Sequence, residues 1–453
     1  MSSPSAAAIS HSLSPARVLA GASVVEITPQ GSVFLFGYPH VSRYSTGVHD
    51  PLECAALYLR VGDEQTLFLA NDLIYFDRDH AREIRERIAK VTGVPTEGIM
   101  ISATHTHSGP VMTNNLSNSR DSVVPPVDED YLTWLTERLI LAAVEAKKVA
   151  QPAELGLVVA QAKGVGSNRH DPSAESDPEV PVLVARSTTT QRPLGCMMVY
   201  GMHPTVMHED STLISADFPG FTRRKLRSGV LGETCPIVYL LGVAGDQSPR
   251  HVTHANTFAE AQRIGELLAD TITTALETIR YETPKHLRSR NVYLDLIARV
   301  FPNPSEALDR LTQTRARYEH LRATHASRQE VRTAECDVFG AEKTTLFSDA
   351  IADGRLDAAI RTGSPAEIQI IQIGSWRFVA WPGEFFVEYG LAVKAKAPPG
   401  TFLVTLANGQ LQGYIATPKA LAQGYYEATN AIFSVDNGPR FVEKTLALLE
   451  ELS

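Results

Sequence analysis

Residues 66–103 hold the pattern that most narrows the fold: an apolar run, an amphipathic run and a second apolar run in close succession. The first, residues 66–71, predicts a buried strand. Residues 77–92 predict a helix with an acidic start, Ile84 and Ile88 on one face and Gly93 as its stop. Residues 99–103 predict another short strand. Strand, helix and strand in that order make a βαβ unit, and open α/β sheets bind ligands beyond the C-terminal ends of their strands.

Just beyond the second strand stands Thr104-His105-Thr106-His107-Ser108-Gly109-Pro110. In an extended segment residues i and i+2 share a side, so His105 and His107 would face one cavity before Gly109-Pro110 turns the chain away. Such a pair is either half of a metal site or two histidines bonded to backbone carbonyls.

The same alternation recurs downstream. Residues 130–148 predict a helix with Leu132, Leu135, Leu139 and Ala142 on one stripe, and strands follow at 155–160, 180–186 and 196–200. Between the first two of these strands, Asn168-Arg169-His170 lies in a polar loop whose Arg169 either binds a substrate oxygen or is exposed. His203-Pro204-Thr205 ends the next strand and places another histidine at the same sheet edge as His105. Asp217 either caps a helix beginning near Pro219 or has a chemical role.

A strand at 238–241 leads into Gly245-Asp246-Gln247-Ser248-Pro249, which lacks the lysine and spacing of a phosphate-binding loop and the full pattern of a serine nucleophile elbow. A helix is expected over about residues 258–278. Residues 304–353, rich in Arg, Glu and Ala, predict a helical excursion suited to a lid or an oligomer contact. Strands return at 367–373 and 376–381, ending in Pro382-Gly383-Glu384, then at 401–406 before Ala407-Asn408-Gly409 and Tyr414, and a helix at 440–449 closes the chain. The expected fold is α/β, with mixed sheets flanked by helices.

The 453 residues would allow roughly two to three domains, but with no repeat and no low-complexity linker the simplest partition is a flexible tail at 1–15 and one catalytic domain at 16–453. Hydrophobic residues at 43% and charged residues at 21% are ordinary globular values. A net charge of -9, spread along the chain, argues against a nucleic-acid partner and offers no basic tract for anionic lipid. Cys54, Cys196, Cys235 and Cys336 form no CxxC pair and fit a reducing compartment. No cationic start precedes an apolar core, so no signal peptide is read and a cytoplasmic location is expected, although an exported form whose leader has been removed fits too. No apolar run approaches the ~20 residues of a membrane span.

Taken together, Thr104 to Pro110, Asn168-Arg169, His203-Pro204-Thr205, Gly245 to Pro249, Pro382-Gly383-Glu384 and Ala407-Asn408-Gly409 followed by Tyr414 resemble the neutral/alkaline ceramidase family, in the family's order and over about residues 20–426. The resemblance implies a ceramidase-like catalytic domain and a zinc amidase that splits an N-acyl sphingosine. It implies His105, His203, Glu384 and Tyr414 as ligands of one Zn²⁺ per chain. It also implies that His107 and Arg169 face the substrate or the developing oxyanion and that Asp246 and Ser248 shape the site. Zinc in such a set lowers the pKa of water to about 7 and equips it to attack an amide carbonyl.

Three departures bear on the substrate. About forty residues follow Tyr414, fewer than the ~100 of an immunoglobulin-like C-terminal domain. Val111-Met112 stands where ceramidases have small residues, and Gln247 where they often have Val. No amphipathic helix marks a lipid surface. The expected partner is therefore a small-molecule N-acyl amide or a lipid-like one, with homo-oligomerisation left open. The same ligand set would also serve an esterase or lactonase, and the scaffold a non-catalytic ligand-binding protein.

Overall fold

The computed structural model describes residues 18–452, so the tail expected over residues 1–15 lies outside the described residues. Its largest sheet has nine strands, numbered here in chain order: Val18–Glu26 (β1), Glu53–Val61 (β2), Glu64–Asn71 (β3), Ile99–Ala103 (β4), Gln151–Gln161 (β5), Glu179–Ser187 (β6), Pro193–Tyr200 (β7), Ile237–Leu241 (β8) and Tyr281–Glu282 (β9). The spatial order is β8-β7-β6-β5-β1-β2-β3-β4, with β9 beside β5. The outermost pairs, β8 with β7 and β3 with β4, are parallel, whereas every pair between them is antiparallel. This is the mixed sheet that the residue pattern predicts.

The βαβ unit is β3, the helix Arg78–Thr92 (α1) and β4. Asp77 precedes α1, and Gly93 ends it in the left-handed region at φ 71°, its N–H donating to the Ala89 carbonyl. Ala81, Ile84 and Ile88 of α1 pack with Leu135, Leu139 and Ala142 of the helix Glu129–Lys148 (α2) over one face of the sheet, where they meet Cys54, Ala56, Leu67 and Leu69. The alternate residues Ala55, Leu57, Phe68 and Ala70 point the other way. Strands buried on both faces read as unbroken apolar runs, which is why these runs do not alternate.

That second face does not meet a helix. It packs on Leu183, Met197, Val199, Val238 and Leu240 from the far half of the same sheet. The sheet therefore curls back on itself, as twisted strands in a wide sheet tend to do. The same core takes in Ile371, Phe378 and Phe402 of a four-stranded sheet, Leu287–Leu294 (β10), Ala366–Ile373 (β11), Trp376–Ala380 (β12) and Thr401–Val404 (β13), in that spatial order. Burying each such side chain contributes about 1.5–3 kcal/mol.

Curling has a direct effect on the histidines. β4 and β7 stand towards opposite ends of the strand order, and the curl brings their C-terminal ends together, so that the His105 and His203 ring centroids lie 4.7 Å apart at that edge.

Helices Asp217–Leu226 (α3) and Phe258–Leu276 (α4) cover the outer face of the far half. α3 differs from expectation at its start. Asp217 is the first helical residue, at φ 57°, and its carboxylate accepts from Met207 N at 2.8 Å and Phe218 N at 2.6 Å. It thus pins the preceding loop instead of capping a helix begun at Pro219.

Between β10 and β11 run three helices, Pro304–Ala323 (α5), Arg328–Ala350 (α6) and Arg355–Gly363 (α7). α5 and α6 each open on a reciprocal capping box, Asn303 with Glu306 and Ser327 with Glu330. All four cysteines are free thiols. Among the described residues no helix is long and apolar enough to cross a membrane.

Candidate metal centre

Past Ala103 the chain leaves β4 but stays tied to β3, with Thr104 N donating to the Asn71 carbonyl at 2.8 Å and His105 N to the Leu73 carbonyl at 2.9 Å. Asp72 reinforces this tie. Its carboxylate is paired with Arg223 at 2.5 Å and accepts from Thr104 Oγ1 at 3.1 Å. His105 itself sits at φ 71°, in the left-handed region, where a non-glycine residue costs of order 1–3 kcal/mol. His105 and His107 therefore converge through a bend and not through the alternation of an extended strand. Their rings meet edge to face, centroids 4.9 Å apart.

His203 is fixed from the loop after β8. Its N–H donates to the Gln247 carbonyl at 3.1 Å, and its Nδ1 lies 2.7 Å from the Ala244 carbonyl and 3.0 Å from that of Gln247. Glu384 and Tyr414 arrive together, as register partners in a two-residue parallel ladder, Glu384–Phe385 with Tyr414–Ile415.

The protonation pattern follows from these partners. A carbonyl only accepts, so the Nδ1 of His105, 2.8 Å from the Ile74 carbonyl, and the Nδ1 of His203 both carry their protons. When neutral, each ring then presents a lone pair at Nε2. Both Nε2 atoms face one carboxylate oxygen, Glu384 Oε2, at 3.2 Å from His105 and 3.1 Å from His203. His107 Nε2 lies 3.3 Å from His105 Nε2. Burial, opposed by the bond to Glu384, lowers the pKa of His203 to about 4. Burial and the two neighbouring imidazoles hold His107 well below the usual range. Burial works against ionisation of Glu384, but His105 and His203 outweigh it and hold the carboxyl well below its ordinary value. The ionised Glu384 carboxylate and the two Nε2 atoms thus converge on one point, an arrangement suited to a cation. Tyr414, pushed well above the usual phenol range by burial and then by Glu384, adds an oxygen beside them.

The donor set, nitrogen and oxygen with tautomers fixed by carbonyls, fits Zn²⁺. Ligating atoms of His105, His107 and His203 all lie within 4.8 Å of one another, so His107 stands in the same cluster as the two histidines expected to bind metal.

Arg169, Asp246 and Ser248 come together through a second small ladder, Ser167–Asn168 against Gln247–Ser248. Arg169 is buried, lines the cavity and is engaged on two sides. Its Nε and Nη2 both lie 2.5 Å from Glu427 Oε1, and its guanidinium sits 5.3 Å from the centre of the Tyr414 ring. Asp246 joins two loops, Oδ2 accepting from Asn168 Nδ2 and Oδ1 from Val387 N, each at 2.8 Å. Ser248 caps a short 3-10 turn, its Oγ accepting from Arg250 N at 3.3 Å, and among the described residues no base is bonded to it.

Two residues here carry no sequence motif. Glu427, from the four-residue helix Tyr426–Thr429, anchors both Arg169 and His170, the latter at 2.9 Å. Gly37 approaches so closely that a Cβ would lie 2.5 Å from His107 Nδ1. The one signal available for Glu427 was the need of a buried arginine for a carboxylate. Val111 and Met112, expected to reshape the pocket, pack into the core under α1 and α2 instead. A cavity of about 490 Å³ opens on His107, Arg169, His203 and Tyr414, and a smaller one of about 90 Å³ on His105, Glu384 and Tyr75.

With that geometry in place, the family model for neutral/alkaline non-lysosomal ceramidase, N-terminal, matches residues 19–230. Neutral ceramidase from Pseudomonas aeruginosa has a similar structure, with a TM-score of 0.73 at 18% identity over 97% of this chain and 75% of that one. A ceramidase complexed with C2 superposes with a TM-score of 0.72 at 16% identity over 96% of this chain and 76% of that one. No curated protein sequence matches the chain. Residues 19–230 thus match the neutral/alkaline non-lysosomal ceramidase family model, and the chain as a whole has the fold of the neutral ceramidases.

Proposed function

We propose that this protein is a zinc-dependent hydrolase that cleaves the carbon–nitrogen bond of an N-acyl amide, ceramide-like or smaller. One observation carries the reading: two imidazoles whose Nδ1 atoms are committed to carbonyls aim Nε2 at the same oxygen of a partly buried, ionised Glu384. The family of residues 19–230 and the fold support the amide as the bond attacked.

In this reading His105, His203, Glu384 and Tyr414 hold one zinc ion per chain. Zinc there supplies a Lewis acid for the carbonyl and acidifies water to a pKa of about 7. His107, kept uncharged by burial and its imidazole neighbours, offers a ring that accepts and returns a proton beside the reacting carbonyl. Arg169, locked by Glu427, keeps positive charge next to the Tyr414 ring and on the cavity wall, where negative charge develops as an amide becomes tetrahedral. Asp246 holds the loops that present Arg169 and Val387, and Ser248 caps the turn behind them.

The test joins metal analysis of the purified protein to hydrolysis rates on N-acyl amides of short to long chain, before and after chelation. Zinc at one per chain and turnover lost on chelation and regained with zinc are expected. Full activity in a metal-free preparation, or in His105→Ala, would refute the mechanism. Activity confined to short or cyclic amides would remove ceramide and keep the chemistry.

A further inference from the structure

The larger cavity is an unusual receptacle for a two-chain lipid. It is lined by residues of the candidate metal centre and by the N-terminal half of α6, which adds Arg328 and Arg332 to a wall that also carries Arg169 and Arg250. Burying alkyl chains against guanidinium groups would strip those charges of water without repayment. The wall is built for something that carries charge.

Two of the four arginines are already neutralised. Arg332 lies 3.0 Å from Glu209 and 2.7 Å from Glu335, and Arg169 is held by Glu427. Arg250 and Arg328 make no ion pair among the described residues. Arg250 is half-buried and donates from Nη1 to the Arg169 carbonyl at 3.4 Å, while Arg328 donates from Nη2 to Asn256 Oδ1 at 2.9 Å. A guanidinium has five N–H donors, so each of these has most of its donors free. Of the carboxylates on the wall, Asp210 alone stands outside an ion pair among the described residues, so the other four are committed to Arg169, Arg332 and Arg317 and leave Arg250 and Arg328 without a carboxylate partner.

His208 lies on the same wall. Burial and then the guanidiniums of Arg332, Arg328, Arg250 and Arg43 push its pKa down to about 3, and the first three of these arginines line the cavity with it. Arg250 also belongs to the segment that positions the centre, since Gln247, just before it, accepts from His203. A group seated on Arg250 is thus held in fixed relation to His203.

We infer that the amide cleaved at this centre carries an anionic group, a carboxylate or a phosphate, and that Arg250 and Arg328 on the cavity wall receive it. The inference rests on the amidase reading and names its substrate class. Guanidinium forks match both anions in geometry and charge.

The test compares zinc-loaded wild type, Arg250→Gln and Arg328→Gln on N-octanoylglycine, N-octanoylethanolamine phosphate and neutral N-octanoylethanolamine. At least one anionic amide should exceed the neutral one about tenfold in kcat/KM, and that ratio should fall about tenfold in each variant, mainly through KM. Which anion is preferred separates carboxylate from phosphate. Equal rates on all three, or a ratio unmoved by both substitutions, overturn the inference and leave the amidase reading standing. If none is cleaved, it is the amidase reading that has failed. Calorimetric binding of the two anionic amides, weakened in both variants, would then still support the anion seat, and no binding would overturn it.

Discussion

Glu384 and Tyr414 face each other across a parallel ladder only two residues long, and each is preceded by a glycine in the left-handed region, Gly383 at φ 94° and Gly413 at φ 84°. The ladder is a device for presenting a carboxylate and a phenol side by side from separate loops. Its glycines answer to two constraints, since a Cβ on Gly413 would lie 2.2 Å from the Asn430 carbonyl and L side chains seldom adopt that φ.

Gly413→Ala should therefore damage the centre without touching a side chain in it. Left-handed strain alone costs of order 1–3 kcal/mol, and the backbone clash adds to it. Zinc content after dialysis should fall well below that of the parent, with a lowered melting temperature. A variant that keeps full zinc and full stability would show that the ladder does not position the ligands.

The two histidines of the Thr104 to Pro110 stretch should part in behaviour. His105→Ala is expected to lose metal, whereas His107→Ala should keep it and lose about 10²–10³ in kcat, the cost of removing a group that acts on the transition state. Gly37→Ala should resemble His107→Ala, because its Cβ would sit 2.5 Å from His107 Nδ1 and drive the ring away. Metal analysis beside single-substrate kinetics separates these outcomes; equal zinc contents with equal rate losses in the two alanine variants would erase the division.

The legible and illegible parts of this protein differ in the range of their causes. The βαβ unit and α2 could be read because helical and strand periodicity are local, and Ile84, Ile88, Leu135 and Leu139 are buried as their spacing predicts. The curl of the sheet could not, because it depends on strands at opposite ends of the order packing on each other through residues such as Leu57 and Leu240. The i, i+2 argument for His105 and His107 reached the right cavity by the wrong backbone, since nothing in the sequence marks His105 as left-handed. Glu427 was missed for a similar reason. Its meaning comes from Arg169, far away in sequence, and no local motif surrounds it.

Arg169 and Glu427 form an ion pair whose loss should be felt in stability. Both are buried, so Arg169→Leu leaves a carboxylate without its main partner and should cost about 3–5 kcal/mol, measured by urea denaturation of the zinc-loaded protein. A cost below about 1 kcal/mol would mean that water reaches the pair.

The same pair sets a pH window. Burial opposes ionisation of Glu427, but Arg169 and His170 outweigh it and lower its pKa to about 2 from an ordinary 4.5. A depressed carboxyl pKa stabilises the fold above the unfolded value, and that contribution disappears as pH falls from about 4.5 to about 2. Glu427→Gln should begin less stable than the parent and lose less over that window. Parallel loss in both proteins would assign the acid sensitivity to other carboxylates.

Ser248 gives the sharpest contrast between a metal-centred and a serine-centred reaction. A nucleophilic serine needs a base within hydrogen-bond reach, commonly a histidine oriented by a third group. Ser248 Oγ instead accepts from Arg250 N at 3.3 Å, and the nearby His203 has its Nδ1 on carbonyls and its Nε2 on Glu384. Ser248→Ala should thus cost only the cap, about 1 kcal/mol of stability, and keep activity within about tenfold. A loss of several orders of magnitude, together with an acyl-enzyme burst in the parent, would move the chemistry from the metal to the serine. Retained activity would leave Ser248 as the cap that sets Arg250 on the cavity wall.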